Sequence, residues 1–137
     1  MSDILKNFVT AMDVFIASKS ALVTAFGTRY GLNRMEQDSA FPYLVYTWVN
    51  NISDRDSINE WENPLIEFAI FSDDNAPTEI MDLTKTVMDN FDDAELSVSG
   101  FSTVKFRRTN DFFAPAGAES RRFWDKRIRY ETEYQKT

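Results

Sequence analysis

At 137 residues, with 43% hydrophobic and 15% aromatic side chains, the chain is long enough for a single domain that buries roughly two-thirds of its unfolded surface. It has no Cys and no His, which excludes a disulfide framework, a thiolate nucleophile, a Cys-based zinc site and histidine general-base chemistry. The net charge of −7 is unevenly spread: residues 1–100 carry 6 cationic against 17 acidic side chains, and residues 101–137 carry 9 against 5. Head-to-tail packing of identical subunits could use such polarity.

Ser2 is placed to cap a helix over Asp3–Ala17, where Ile4, Leu5, Phe8, Val9, Met12, Phe15 and Ile16 recur at helical spacing. Ser18-Lys19-Ser20 interrupts the stripe. Either Ser20 caps a second short helix that Gly27 stops, or one helix runs on to Phe26. Thr28–Phe41 holds Gly31 and no periodicity, and reads as a connecting loop. Pro42 then opens a strand over Tyr43–Val49, apolar on both faces. Asn50–Asn63, with Asp54, Asp56, Glu60 and Glu62, reads as a solvated hairpin arm. Along Pro64–Phe71, Ile66, Phe68 and Ile70 share one face. Asp74 or Asn75 is placed to cap the helix that follows, with Pro77 in its first turn and Ile80, Leu83, Val87, Met88 and Phe91 as its apolar stripe. A turn around Ser97–Gly100 leads into a strand over Phe101–Arg108, with Val104 and Phe106 inward and Lys105 and Arg107 outward. Asn110–Arg122 reads as a long loop bearing Phe112 and Phe113. The last strand puts Trp124, Lys126, Ile128, Tyr130, Thr132 and Tyr134 on one face and Asp125, Arg127, Arg129, Glu131 and Glu133 on the other. The expected fold is α+β, in the order α(α)–β–β–α–β–β. A mostly antiparallel sheet of about four strands packs against two or three helices.

Chemistry is sparse. Asp73/Asp74 and Asp92/Asp93 sit at helix ends, where carboxylates serve capping or solvation, and neither matches a calcium-loop spacing. The 4 glycines form no phosphate-cradling loop. Ser18-Lys19-Ser20 is a helix junction rather than a nucleophile with its base. No catalytic, metal or cofactor residues are expected. No stretch approaches the ~20 apolar residues that span a bilayer, and Met1–Lys6 lacks a basic leader region, so the expectation is a soluble protein that stays in the cell making it. The basic, aromatic-interleaved runs Lys105-Phe106-Arg107-Arg108 and Arg121-Arg122-Phe123-Trp124 are open to three readings: solvated strand faces, a subunit or lumen surface, or nucleic-acid contact. The acidic total argues against autonomous DNA binding.

The order of features resembles the tail-terminator or tail-completion proteins of long-tailed bacteriophages. The resemblance rests on the proline-led strand FPYLVYTWV (Phe41–Val49), the acidic hairpin, the strand–turn–helix LIEFAIFSDDNAPTEIMDLTKTVMDNF (Leu65–Phe91) and the closing strand RRFWDKRIRYETEY (Arg121–Tyr134). It spans nearly the whole chain. It implies a non-enzymatic virion subunit, assembled in the host cytoplasm, that forms a ring, typically a hexamer, at the neck of the particle. Such a ring caps the tail tube, meets the head-completion or connector protein, and lets DNA pass through its lumen; no membrane is involved. The surfaces expected to meet a neighbour or partner are Asp54, Asp56, Glu60 and Glu62 on the acidic side. On the basic side they are Lys105, Arg107, Arg108, Arg121 and Arg122, with Phe112 and Phe113 as aromatic anchors. The alternative is a small-ligand-binding domain or enzyme of the nuclear transport factor-like cone type, in which Glu67 or Tyr130 would be the nearest pocket groups.

Overall fold

In the computed structural model the described residues are 2–32, 40–54, 61–74, 76–98, 103–113 and 124–135, with backbone alone at 2–5, 48–54, 61–64, 103 and 133–135. Helix α1 (Ser2–Ser18) and helix α2 (Ser20–Phe26) meet at an angle of 92°. The break falls where Ser18-Lys19-Ser20 interrupts the apolar stripe, so the two-helix alternative holds. The cap is Lys19, not Ser20: Lys19 takes the extended backbone and its carbonyl accepts the first bond, from the Val23 N–H at 3.0 Å. Gly27 ends α2 at φ 61°, ψ −121°, a conformation that costs glycine little and a residue with a Cβ much more.

Four long strands follow, β2 (Tyr43–Asp54), β3 (Trp61–Ser72), β5 (Thr103–Phe113) and β6 (Trp124–Gln135), with short β1 (Tyr30–Leu32) and β4 (Glu95–Leu96). They form one sheet in the order β1-β2-β3-β6-β5-β4. Helix α3 (Thr78–Phe91) lies between β3 and β4 in the chain. All neighbours pair antiparallel except β1 with β2, which makes the sheet mixed. Two expected loops are corrected. Part of Thr28–Phe41 is strand β1, because the parallel ladder Tyr30↔Leu44 to Leu32↔Tyr46 supplies the hydrogen bonds that periodicity does not advertise. Asn110–Phe113 belongs to β5, because its ladder with β6 continues through Phe113↔Lys126 past an irregularity between Arg108 and Asn110. A one-residue bulge shifts the side-chain alternation there and hides the strand from a period-two reading.

The expected alternation otherwise holds. Ile66, Phe68, Ile70, Val104, Phe106, Ile128 and Tyr130 are all buried on one face with Leu44 and Tyr46. The helices bury Phe8, Met12 and Ile16 (α1), Leu22 and Phe26 (α2), and Ile80, Leu83, Val87 and Phe91 (α3) against that same face. Its centre is aromatic: Phe68 lies 4.4 Å from Phe91 and 5.6 Å from Tyr130, and Phe91 lies 5.6 Å from Phe106, centroid to centroid. Each such pair contributes about 0.5–1.5 kcal/mol beyond the area it buries. The start of α3 differs from expectation. Asp74 Oδ1 accepts the Ala76 N–H at 3.1 Å in a local turn, Pro77 is the capping position without a side-chain bond, and Asn75 lies outside the described residues. Ser72 and Glu79 bind the strand end to the helix instead, with Ser72 Oγ donating to Glu79 Oε1 at 2.6 Å.

Candidate functional site

With every helix on one side, the other face of the sheet carries no described helix. Period-two alternation puts Tyr43, Val45, Leu65, Glu67, Ala69, Phe71, Asp125, Arg127, Arg129 and Glu131 there. At its centre Glu67 is only 7% exposed. Its Oε2 accepts from Arg127 Nη1 and its Oε1 from Arg129 Nε, both at 3.0 Å. Arg127 also grips Asp125 through two parallel bonds, Nε to Oδ1 at 3.1 Å and Nη2 to Oδ2 at 3.0 Å. That fork, ahead of Glu67, pushes the Arg127 guanidinium above its ordinary pKa. The Arg129 guanidinium lies 5.2 Å from the centre of the Phe112 ring. The result is a continuous chain Asp125–Arg127–Glu67–Arg129–Phe112 running across β6, β3 and β5. To one side stands a ring cluster, with Tyr43 5.1 Å from Phe41 and 4.8 Å from Phe71.

Strand alternation separates residues that are neighbours in sequence. Lys105 and Arg107 are on the helix-free face, in register with Glu133 and Glu131. Arg108 is on the helix side, 3.4 Å from Asp92 and 3.9 Å from Asp111, with its Nη1 against the Met88 sulfur at 2.7 Å. Phe112 and Phe113 are also split. Phe112 is half-buried under Arg129, whereas Phe113 is 50% exposed on the helix side, 6.1 Å from Trp124 and under the Lys126 ammonium at 4.4 Å. Lys126 is buried, and its Nζ donates a hydrogen bond to Asp111 Oδ1 at 2.9 Å. Asp54 and Glu62 fall on the β2–β3 hairpin, in register with Trp61 and Ser53, where only backbone is described. Asp56, Glu60, Arg121 and Arg122 lie outside the described residues.

A groove of about 430 Å³ runs between α3 and β5, with Met81, Met88 and Phe113 as its apolar lining and Lys85, Asp89, Arg108 and Lys126 around them. Neither Glu67 nor Tyr130 lines it. Those two sit on opposite faces of the sheet, so they cannot share a pocket. The Tyr130 hydroxyl donates to Asp92 Oδ1 at 2.7 Å, and burial, then this bond, pushes its pKa up. Tyr46 is pushed up chiefly by burial. Among the described residues, no group of three or more acidic side chains gathers as a cation site, and no single helix is long and apolar enough to cross a membrane.

No protein-family model and no curated protein matches the sequence. Solved structures do match. One is a chain of the virion of a native gene transfer agent particle, with a TM-score of 0.81 and 11% identity over 96% of both chains. Another chain matches at a TM-score of 0.65 and 10% identity, over 100% of this chain and 97% of that one. The likeness is one of fold. The sequence had marked Glu67 only as a pocket candidate. A carboxylate alternating with Ile66, Phe68 and Ile70, and two arginines two apart on β6, were the signals for the ion chain; pairing β3 with β6 was the missing link.

Proposed function

We propose that this chain is a structural virion protein. Its copies close into a ring, a hexamer in the family it resembles, that caps the tail tube, ends tube elongation and joins the tail to the head connector. The observation that carries this reading is the fold likeness, over 96% of both chains, to a chain of a gene transfer agent virion. The order of sequence features points the same way. Identical subunits in a ring bring two different patches together at every contact. The acidic residues Asp54, Asp56, Glu60 and Glu62 are the candidates for one patch, and the basic residues Lys105, Arg107, Arg121 and Arg122 are the candidates for the other. Exposed pairs contribute only about 0–1 kcal/mol each, so these charges set encounter rate and register rather than bulk affinity. Cations that no neighbour covers would line the lumen and meet DNA phosphates.

Purified protein mixed with tail tubes lacking their terminal ring, viewed by negative-stain electron microscopy, tests the reading. A ring at one end of each tube, with tube growth stopped, is the expected result. Assembly followed by light scattering should slow as salt shortens the screening length from ~10 Å at 0.1 M to ~3 Å at 1 M. Protein that stays monomeric with tubes present at every concentration would overturn the reading.

A further inference from the structure

Strand β5 is long and its outer neighbour is short. β4 pairs with it only at Val104 and Lys105, and the Phe106 N–H donates to the Ala94 carbonyl at 2.9 Å. From Arg108 to Phe113 no described strand lies on that side. Backbone direction alternates along a strand, so with Phe106 turned outward, Arg108 is as well. The bulge at Thr109–Asn110, two residues against Arg129, then turns Asp111 outward rather than Asn110. Among the described residues this edge therefore offers N–H and C=O groups that another extended chain would complete. The side chains of Arg108 and Asp111 share the helix face, in register with Tyr130 and Ile128. The apolar groove opens beside them, where Met81 is 62% and Phe113 50% exposed.

We propose that a second copy of this chain covers the edge, the two β5 strands pairing antiparallel about a two-fold axis beside Thr109 and Asn110. In that register Arg108 of one copy stands directly opposite Asp111 of the other, twice, with Cβ atoms about 5 Å apart. This charge complementarity selects the occupant. The edge carries its own complement three residues along, as a self-complementary two-fold contact requires. Within one copy Arg108 and Asp111 approach only to 3.9 Å; Asp111 also holds Lys126 at 2.9 Å and Arg108 lies 3.4 Å from Asp92, yet 38% and 37% of the two side chains stay exposed to a second partner. Both copies' helices lie on the same side of the joined sheet, which brings the two grooves toward each other across the axis. The pairing does not depend on the ring: it is a two-fold contact, whereas the ring is head-to-tail.

Sedimentation equilibrium of the protein alone, over a range of concentrations, should show a monomer–dimer equilibrium. Arg108→Asp sets like charges opposite each other twice and should weaken dimerisation about tenfold or more. Arg108→Asp with Asp111→Arg in the same chain should restore it, because each copy's exchange meets its partner's. Circular dichroism identifies the variants that remain folded. In Asn110→Cys, the introduced thiol is the only one in the chain, so mild oxidation should give a covalent dimer. Asp111→Arg also removes the carboxylate that holds the buried Lys126, so the exchange is read only in folded protein: folded monomer at all concentrations, a folded double exchange that fails to restore the dimer, or no cross-link through position 110 would each overturn the proposal. A ring that assembles on tubes from protein with no dimer overturns this pairing and leaves the ring; a dimer that never caps a tube does the reverse.

Discussion

Replacing Glu67 by Gln tests whether the ion chain on the helix-free face holds the sheet together. The substitution keeps the shape of the side chain but removes its charge. It also turns one of the two oxygens that accept from Arg127 and Arg129, each at 3.0 Å, into an NH2 group facing an N–H. Breaking a buried pair by removing one partner costs about 3–5 kcal/mol. Here the guanidinium side chains are 32% and 36% exposed, and Arg127 keeps its fork on Asp125. Solvent and Asp125 therefore recover part of the loss, leaving about 2–3 kcal/mol. With a urea dependence of about 2 kcal/mol/M, the unfolding midpoint should fall by about 1 M. Far-UV circular dichroism in urea measures it directly. Pairing Glu67→Gln with Arg129→Met closes a double-mutant cycle, and a coupling of at least about 0.5 kcal/mol is expected for groups in contact. A midpoint shift below about 0.3 M, or a cycle additive to within about 0.3 kcal/mol, would refute the reasoning.

Ile128 is fully buried against the aromatic centre; Ile128→Asp strands a charge there and should cost several kcal/mol, read as loss of the cooperative thermal transition, while Arg107→Ala on the exposed side should stay within about 1 kcal/mol of the parent. Tyr130→Phe removes the bond to Asp92 and should cost about 1.5–3 kcal/mol in urea unfolding. Burial holds the Tyr130 and Tyr46 phenols protonated in the fold, whereas the unfolded chain ionises near pH 10. Their contribution to stability is therefore complete below about pH 10 and declines as pH rises above it, and Tyr130→Phe should flatten that decline in melts at successive alkaline pH values. Gly27→Ala should lower stability by about 1–3 kcal/mol through backbone strain. The added Cβ would meet only Arg29 Nη1 at 3.6 Å, an ordinary contact, so a loss in this range reports the backbone conformation rather than a clash, and an unchanged melting temperature would refute the strain argument.

The sequence shows most plainly those elements whose burial repeats at a fixed period. The stripe Ile80, Leu83, Val87, Phe91 and the alternation of Ile128 with Tyr130 both name the core face, because one side of each element is dry and the other wet. It hides whatever depends on a distant partner. Tyr30–Leu32 is a strand because Leu44–Tyr46 offers it an edge, and Asn110–Phe113 is a strand because residues 126–129 hold it there through a bulge. The candidate surfaces were legible as charge, not as geometry. Lys105, Arg107 and Arg108 read as one basic run, and the pleat assigns the third to the opposite face. Phe112 and Phe113 read as a pair, and one ring supports Arg129 while the other opens into a groove. Glu67 could not be connected to Arg127 and Arg129 from local spacing, since the bonds join residues about 60 positions apart.

Strand β6 follows every other described strand in the chain, yet it occupies an interior place in the sheet, between β3 and β5. On the ribosome, the β2–β3 hairpin and the β4–β5 pair therefore emerge as two half-sheets with no direct bond to each other. Each waits with an open edge of unpaired N–H and C=O groups until residues 124–135 arrive as a keystone. Setting that strand in place matches Leu65 with Glu131, a long loop closure that makes nucleation slow and leaves the nascent chain open to sticking to its neighbours in the meantime. A chain cut between Phe113 and Trp124 is thus not a slightly shorter subunit. It carries two half-sheets with no strand to pair them, and such products should be cleared by proteases or aggregate rather than enter an assembly.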